Sequence, residues 1–535
     1  MNKTTNNIES SPTSLLTTDE AWKCTVWDLT VICIIIIAGL AVRISFFTGI
    51  AMGDDIIYTA QVLSLAHGST PTLEQTHWTT RTGMTLLPSA ILKTTGNIQL
   101  SLVSIPLFFS TLKIIVAIIG GNILLGRRYG ILSGIIMATF PLEVIYATHF
   151  FPDIPVSCLS SLSLLFWIHA LKTDSRISYL LTGLCFGLGY LFRETILLDG
   201  PVYITLLLTS GRIVRPKILI ATIAPLTTLA AESLLFKFYY GDPFYRIDSI
   251  LRTQEDPSNL TLISTSTAGG GFITDPLLMI LLSHEFSIFI AASIGLAFFS
   301  IRIRKTSPFA IWLIFGFIWQ YYGTTVPTDW VPLQRDPRYS AGLAIPAAFI
   351  LSYHISNIRI PFLRYSIITA LCTSGLVCAS FDNGGSALAA HREFLSKEPP
   401  GPVASEPYEF VALLWINNSV NPPPGVSPGT ALGRSSILRS VTEIPSVTAT
   451  APSSGDFILI SPSRRPRLYK DLQGKGWIET ESYQEHVPAG RLLAGKLLCL
   501  LPGQQQRAID AMTPKRLVLL RRRATMTKKS QSSGQ

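Results

Sequence analysis

Charge is what this chain has least of. Asp, Glu, Lys and Arg make up 14% of its 535 residues, against roughly 25% in an average soluble domain. Hydrophobic residues make up 48%, and mean hydropathy is +0.40. The apolar residues come in long blocks, which excludes a soluble nuclear or cytosolic enzyme and, equally, a disordered chain. Cysteine is scarce: of seven, six (Cys24, Cys33, Cys158, Cys185, Cys372 and Cys378) lie in or beside apolar blocks. No CxxC or Cys/His cluster has metal spacing, so neither a disulfide framework nor a zinc site is expected. GxxxxGK[ST] and GxGxxG are both missing, and there is no internal repeat. The net charge of +10 is not a nucleic-acid signal, because the positive residues sit in short loops between apolar blocks and in a C-terminal tail.

A helix needs about 20 mostly apolar residues to cross the hydrocarbon core. Blocks of that kind run over 27–47, 100–126, 129–149, 153–171, 178–193, 195–210, 216–238, 280–301, 307–325, 340–357 and 361–381. They predict an all-α polytopic membrane protein with about eleven transmembrane helices. His284-Glu285 interrupts one block, so Asp275 to Leu282 reads as an interfacial helix ahead of a shorter span. Arg127, Arg128, Lys172, Arg176, Arg212, Arg215, Lys217, Arg302, Arg304, Lys305, Arg359 and Arg364 all fall on one face. Positive-inside makes that face cytoplasmic, with the N-terminus (1–26) inside, in a plasma or inner membrane. The membrane domain is expected over 27–383. Residues 384–505, punctuated by Pro and Gly, then lie outside as a small α/β domain, with Asp456–Ser461 and Gly476–Thr480 as strands and Arg467–Gln473 as a helix. Residues 506–535 read as a basic disordered tail.

Four polar features on the outer side need explaining. Gly53-Asp54-Asp55 opens an amphipathic segment, with apolar positions 56, 57, 60, 63, 65 and 66, that is expected to lie on the membrane. One Asp there is an ordinary helix cap; two adjacent carboxylates repel, and a cap needs only one. Asp153 comes in the next outer turn, before Pro155. Arg193-Glu194 interrupts an apolar stretch, where ionisable groups are expensive and face a partner or a cavity. These two can pair with each other, or Arg193 can grip an anionic headgroup. Arg335 and Arg338 stand outside, where topology calls for no positive charge. Asp329 and Asp336 are local partners, and a bound anion is the other.

Asp54-Asp55-x-x-Tyr58 resembles the Asp-Glu-x-x-Tyr element of polyprenol-phosphate-sugar-dependent membrane glycosyltransferases of the GT-C fold, of the protein-mannosyltransferase and aminoarabinose-transferase type. Further features are similar in order: Arg127-Arg128-Tyr129-Gly130, Phe140-Pro141 then Asp153-x-Pro155, Gly187-Leu188-x-Tyr190-Leu191-x-Arg193-Glu194, Gly241-Asp242-Pro243-Phe244, and Arg335-x-x-Arg338-Tyr339 before Pro346. The resemblance covers roughly 27–381 and departs at Asp55, where the family often has Glu. It implies an inverting transfer of a sugar from a polyprenyl-phosphate donor to a lipid, glycan or protein acceptor on the outer face. On that reading Asp54 is the base. Asp55 and Asp153 orient the acceptor or hold a divalent cation, with metal dependence left open. Arg193, Arg335 and Arg338 bind the donor phosphate, supported by Tyr58, Glu194 and Tyr339. Membrane lipids are partners and nucleic acid is not. The competing expectation is a polytopic transporter or lipid-linked sugar flippase, which would show ionisable groups near mid-membrane and two related halves.

Overall fold

The structure is a computed structural model. It describes residues 25–50, 53–68, 77–210, 216–255, 274–323, 336–381, 388–397, 401–419, 421, 423–424, 426–428, 457–487, 489–500 and 505–523. Arg335, Arg212, Arg215, Asp329 and the ends of the chain lie outside the described residues.

Every apolar block read from the sequence is helical. The helices of the membrane domain are α1 (Val26–Ser45), α2 (Asp54–Ala66), α3 (Thr82–Thr95), α4 (Ile98–Leu124), α5 (Arg127–Thr139), α6 (Pro141–Ile145), α7 (Asp153–Thr173) and α8 (Arg176–Phe192). They continue with α9 (Gly200–Thr209), α10 (Ile220–Tyr240), α11 (Tyr245–Glu255), α12 (Thr274–Leu282), α13 (Phe289–Ser300), α14 (Ser307–Tyr322), α15 (Ala344–Ser356) and α16 (Pro361–Ser380). Among the described residues, five helical segments are long and apolar enough to cross a membrane unaided: Val26–Ser45, Ile98–Leu124, Asp153–Thr173, Lys217–Tyr240 and Pro361–Ser380. The other blocks are broken for identifiable reasons. Pro141 cannot donate a backbone bond and holds Phe140 extended, so block 129–149 splits into α5 and α6. Ser283 to Ile288 separate α12 from α13, as the His284-Glu285 interruption predicted. Block 195–210 opens with the 3-10 turn Glu194–Asp199, and block 340–357 with the 3-10 turn Pro337–Leu343.

Close helix contact depends on small residues. A Cβ at Gly121 of α4 would stand 2.7 Å from the Gly130 Cα of α5, so these helices meet backbone to backbone, as small residues allow in membranes. Two buried cations lie deep in this part of the bundle. Lys113 Nζ meets Glu143 and the Ala341 carbonyl at 2.8 Å, and Arg43 donates to Ser110 and to the carbonyls of Gly39, Met137 and Ala138. Both cations are hydrogen-bonded where they are buried, while Glu143 Oε2 is left without a hydrogen-bond partner.

The C-terminal region carries α17 (Ala389–Ser396), α18 (Pro407–Asn417), α19 (Pro466–Gly474), α20 (Ala489–Cys499) and α21 (Gln505–Met512). Its strands are β1 (Val403–Ser405), β2 (Val426–Pro428), β3 (Phe457–Ile460), β4 (Trp477–Gln484) and β5 (Arg516–Arg522). They form one sheet in the order β2-β1-β3-β5-β4, parallel from β2 to β3 and antiparallel around β5. The expected strands and helix around 456–480 are present. The expectation of a disordered tail from residue 506 is corrected: α21 continues to Met512, and β5 is an inner strand of the sheet. The run Leu517 to Leu520 is buried, and its uninterrupted apolar character is what a strand packed on both faces requires.

The segment 54–66 also departs from expectation. Rather than lying on a membrane surface, α2 is sandwiched between α3 and α18. Its Ile56, Tyr58, Val62 and Leu63 share one apolar core with Phe150, Phe410, Trp415, Tyr483 and Leu517. Gln99 Nε2 donates to the Trp415 carbonyl at 3.1 Å, and the Asn418 side chain accepts from the Gln99 amide at 3.1 Å. The C-terminal domain therefore sits on the same end of the bundle as Asp54.

Candidate active site

The two adjacent carboxylates at the start of α2 do different work. Asp55 is fully buried and accepts from the Gly53 amide at 2.6 Å, which ties the residue ahead of α2 to its first turn. Asp54 is left about one-third exposed, and its Oδ2 stands 3.4 Å from Arg338 Nη2. That separation is long for a charge-assisted hydrogen bond, normally ~2.7–2.9 Å, so the contact is loose.

Arg338 is the centre of the cluster. It lies in the turn Pro337–Leu343, whose first residue comes directly after Asp336. The Asp336 carboxylate caps the turn through the Arg338 amide at 3.1 Å and stands 3.1 Å from Arg338 Nε. Asp153 Oδ2 is 3.9 Å from the same Nε. The guanidinium sits 4.4 Å from the centre of the Phe151 ring. Asp153, the first residue of α7 and almost wholly buried, forms its close ion pair with Arg193 at the end of α8. Arg193 in turn stacks 4.2 Å from the centre of the Tyr339 ring. Asp54, Asp153, Arg193, Arg338 and Tyr339, picked out from four separate stretches of sequence, thus converge. Asp336, one of the local partners expected for Arg338, is also bound to it.

Burial works against the Arg338 charge, but Asp153, Asp336 and Asp54 outweigh it and hold the guanidinium above the usual arginine range. Burial pushes the Asp336 carboxyl up, more than Arg338 draws it down. Asp153 Oδ2, Arg193 Nε and Arg338 Nε are all buried without a hydrogen-bond partner in the structure. Buried polar atoms are normally satisfied; of these three the two guanidinium Nε–H groups could donate to an anion, and Arg338 Nε already lies 3.1 Å from the Asp336 carboxylate, while the Asp153 oxygen is an acceptor.

A second ionic cluster lies beside the first, and the sequence did not disclose it. Glu194 does not pair with its neighbour Arg193. Arg81, at the start of α3, reaches Glu194 with both Nη2 (2.6 Å) and Nε (3.3 Å) and also bonds the Tyr58 hydroxyl. Arg246 holds Glu194 at 3.3 Å, Glu232 at 2.7 Å and the Tyr190 carbonyl at 2.8 Å. Burial pushes the Tyr58 phenol up despite Arg81, so Tyr58 stays a neutral hydroxyl. Arg81 carried a signal that was available: like Arg338, it is a positive charge on the side that the loop charges predict to be outer, where topology asks for none.

A cavity of about 60 Å³ opens below Arg338 and Tyr339, with Asp153, Ser157, Ser160, Asp199 and Gln320 among its lining residues. Among the described residues no three His, Cys, Asp or Glu side chains stand at metal-ligand spacing.

Comparison with known proteins places this geometry. Residues 84–233 match the model of the family described as dolichyl-phosphate-mannose-protein mannosyltransferase. The crystal structure of ArnT from Cupriavidus metallidurans in the apo state is similar over 92% of this chain and 97% of that one, at TM-score 0.54 and 11% identity. The same protein bound to undecaprenyl phosphate is similar over 92% and 98%, at TM-score 0.54 and 10% identity. The oligosaccharyltransferase of Archaeoglobus fulgidus in the apo form is similar over 87% and 74%, at TM-score 0.50 and 13% identity. No curated protein sequence matches the chain. At such identities the structural likeness speaks for fold, and the family match speaks for the segment from α3 into α10. This is a multi-pass membrane protein with the fold of the GT-C glycosyltransferases, whose residues 84–233 carry the sequence signature of the dolichyl-phosphate-mannose-protein mannosyltransferase family.

Proposed function

We propose that the chain is an inverting glycosyltransferase that moves a sugar from a polyprenyl-phosphate donor to a hydroxyl of a lipid, glycan or protein acceptor on the outer face of the plasma membrane. The observation that carries this reading is Arg338 standing between a loosely held, partly exposed carboxylate, Asp54, and a buried one, Asp153. Inverting transfer needs both halves of that arrangement. Asp54 takes the proton of the acceptor hydroxyl as its oxygen bonds to the anomeric carbon. The bond from that carbon to the phosphate oxygen breaks, and its electron pair goes to the lipid phosphate. Arg338 and Arg193 stabilise the charge that grows there. Arg335 joins them on this reading. One preorganised donor of this kind is worth on the order of 3 kcal/mol in a transition state.

Asp153 fixes Arg193, and the Tyr339 ring orients its guanidinium. Entry of a phosphate would draw Arg338 from its long contact with Asp54, so donor binding would also release the base. The family signature and the neighbour's complex with undecaprenyl phosphate support a lipid-phosphate donor. The experiment is transfer of radiolabelled sugar from polyprenyl-phosphate mannose, glucose and arabinose by the full chain in nanodiscs, with measured binding of bare polyprenyl phosphate. Label should move to a membrane or protein fraction from at least one donor. No transfer from any of them, together with no binding of polyprenyl phosphate, would sink the reading.

A further inference from the structure

Lys113 stands near the middle of α4, fully buried, and its ammonium has three N–H donors to place. Each goes to a different element. One reaches the Glu143 carboxylate of α6. One reaches the Ser157 hydroxyl of α7 at 3.1 Å. The third reaches the Ala341 carbonyl, in the turn Pro337–Leu343, at 2.8 Å. Ser157 is four residues beyond Asp153, so it lies on the same face of α7, about 6 Å further along the helix. Ala341 is three residues beyond Arg338, one 3-10 turn or again about 6 Å. A single ammonium therefore ties the helix that starts at Asp153 to the turn that carries Arg338, one turn behind each. Tyr321 of α14 holds the same turn through Ser340; Lys113 holds it to α7. Stability does not ask for this charge. Apolar residues of similar volume in place of a buried ion pair are often neutral or stabilising. Glu143 Oε2, buried without a hydrogen-bond partner, leaves the pair with a residual desolvation cost.

We infer that Lys113 is a positioning residue for the transfer: from one turn behind each, it sets the spacing of Asp153 and Arg338, and with it the place of the Arg338 guanidinium against Asp54. The inference rests on the proposed transferase reading and adds to it a residue that touches none of the reacting groups. Glu143 neutralises the ammonium, and Ser157 and Ala341 are what the ammonium holds. The spacing matters because Asp153 Oδ2 and Arg338 Nε stand 3.9 Å apart, too far for a hydrogen bond to fix them to each other. Without Lys113 the turn can shift against α7. A misplacement of about 1 Å costs on the order of 100-fold in rate although every charge at the site is still present. Arg193 and Arg338 would still meet the donor phosphate in the ground state. The loss therefore falls on kcat and not on donor KM.

The test uses the full chain in nanodiscs, with polyprenyl-phosphate mannose, glucose and arabinose as donors and bare polyprenyl phosphate as a binding probe. The main variant carries Lys113→Met and Glu143→Leu together, so that no lone charge is left in the bundle. Its unfolding temperature should be at or above that of wild type. Its donor KM should stay within about twofold, and its kcat per folded molecule should fall by roughly 30-fold to 100-fold. Added to Arg338→Ala, the same pair should slow single-turnover transfer by no more than about threefold further, because it acts through Arg338. Ser157→Ala leaves the ion pair intact and cuts only the tie to α7; it should lower kcat by about tenfold with KM unchanged. Wild-type kcat in the main variant overturns the inference and makes Lys113 scaffold. So does a full, independent loss on top of Arg338→Ala. If the main variant does not fold, wild-type kcat in Ser157→Ala overturns the inference in its place. Each of these results leaves the transferase reading standing. Wild type that transfers no sugar and binds no polyprenyl phosphate removes that reading, and this inference with it.

Discussion

Arg338 and Asp54 lie 284 positions apart in sequence and 3.4 Å apart in space. The pair is slack where the neighbouring Arg193–Asp153 pair is tight.

Replacing Arg338 tests the slack pair from its cationic side. Arg338→Ala should lower single-turnover transfer by ~100-fold or more, the equivalent of about 3 kcal/mol. Arg338→Lys should restore part of it, because an ammonium brings charge without the fork that spans two oxygens. Unchanged donor binding and turnover in the alanine variant would leave Arg338 as the structural partner of Asp336.

From the anionic side, Asp54→Asn should abolish transfer while insertion and thermal stability stay near wild type, since the side chain is partly exposed and caps nothing. Asp55→Asn should do the opposite. It weakens the bond to the Gly53 amide and lowers stability by about 1 kcal/mol, with turnover per folded molecule largely kept. Wild-type turnover in Asp54→Asn would remove it as the base.

The Arg81–Glu194 pair makes a separate prediction about architecture. Removing either partner leaves a charge in a nearly dry site, at a cost of about 3–5 kcal/mol for a fully buried pair. Arg81→Met and Glu194→Gln should each lower the unfolding temperature, and the double variant should lose less than the sum of the two. Strict additivity would mean that the pair contributes nothing through mutual contact.

In the C-terminal domain, Glu409 is fully buried against His391, with Arg464 at 3.4 Å, and Arg464 also holds Glu485 at 2.6 Å. Burial alone would raise the Glu409 carboxyl, but His391 and Arg464 hold it below its ordinary value. A carboxylate depressed in the folded state contributes stability that is complete above the unfolded value of ~4.3 and is lost as pH falls below it. Hydrogen exchange of α17 and α18 should therefore accelerate on acidification below that point in the wild type. Glu409→Gln should show faster exchange at neutral pH and a flatter acid limb. An identical acid limb in both proteins would mean another group governs it.

Loop charge predicts the orientation, and a reporter checks it directly. A reporter fused after Gly385 should be active outside and silent in the cytoplasm. Cytoplasmic activity would invert the membrane face of Asp54 and of the C-terminal domain together, because the two share a core.

Periodicity and hydropathy disclosed the helices, since lipid and core both select apolar side chains over the lengths a bilayer sets. The outer-face charges disclosed Asp54, Asp153, Arg193 and Arg338, because each is costly where it stands. Partner choice was hidden. Glu194 sits next to Arg193 in sequence, yet the chain reverses direction between them, from α8 into the turn Glu194–Asp199, and sends the two side chains to different partners. Lys113 and Glu143 are isolated charges within apolar blocks, and their pairing appears only once α4 and α6 are packed. The burial of α2 was equally illegible, because an apolar face meant for a membrane and one meant for α3 and α18 read alike.

The sheet order has a consequence for how the protein is made. β4 is joined to the sheet through β5, which is synthesised after it and lies on the far side of α20 and α21. Until Arg516 to Arg522 have been translated, β4 has no ladder, and the core joining Leu517, Tyr483 and Trp415 to α2 is incomplete. The bundle with its charged cluster can be inserted first, but the domain packed on α2 closes last. Proteolytic clipping before Arg516 would therefore return a correctly inserted protein to that unfinished state.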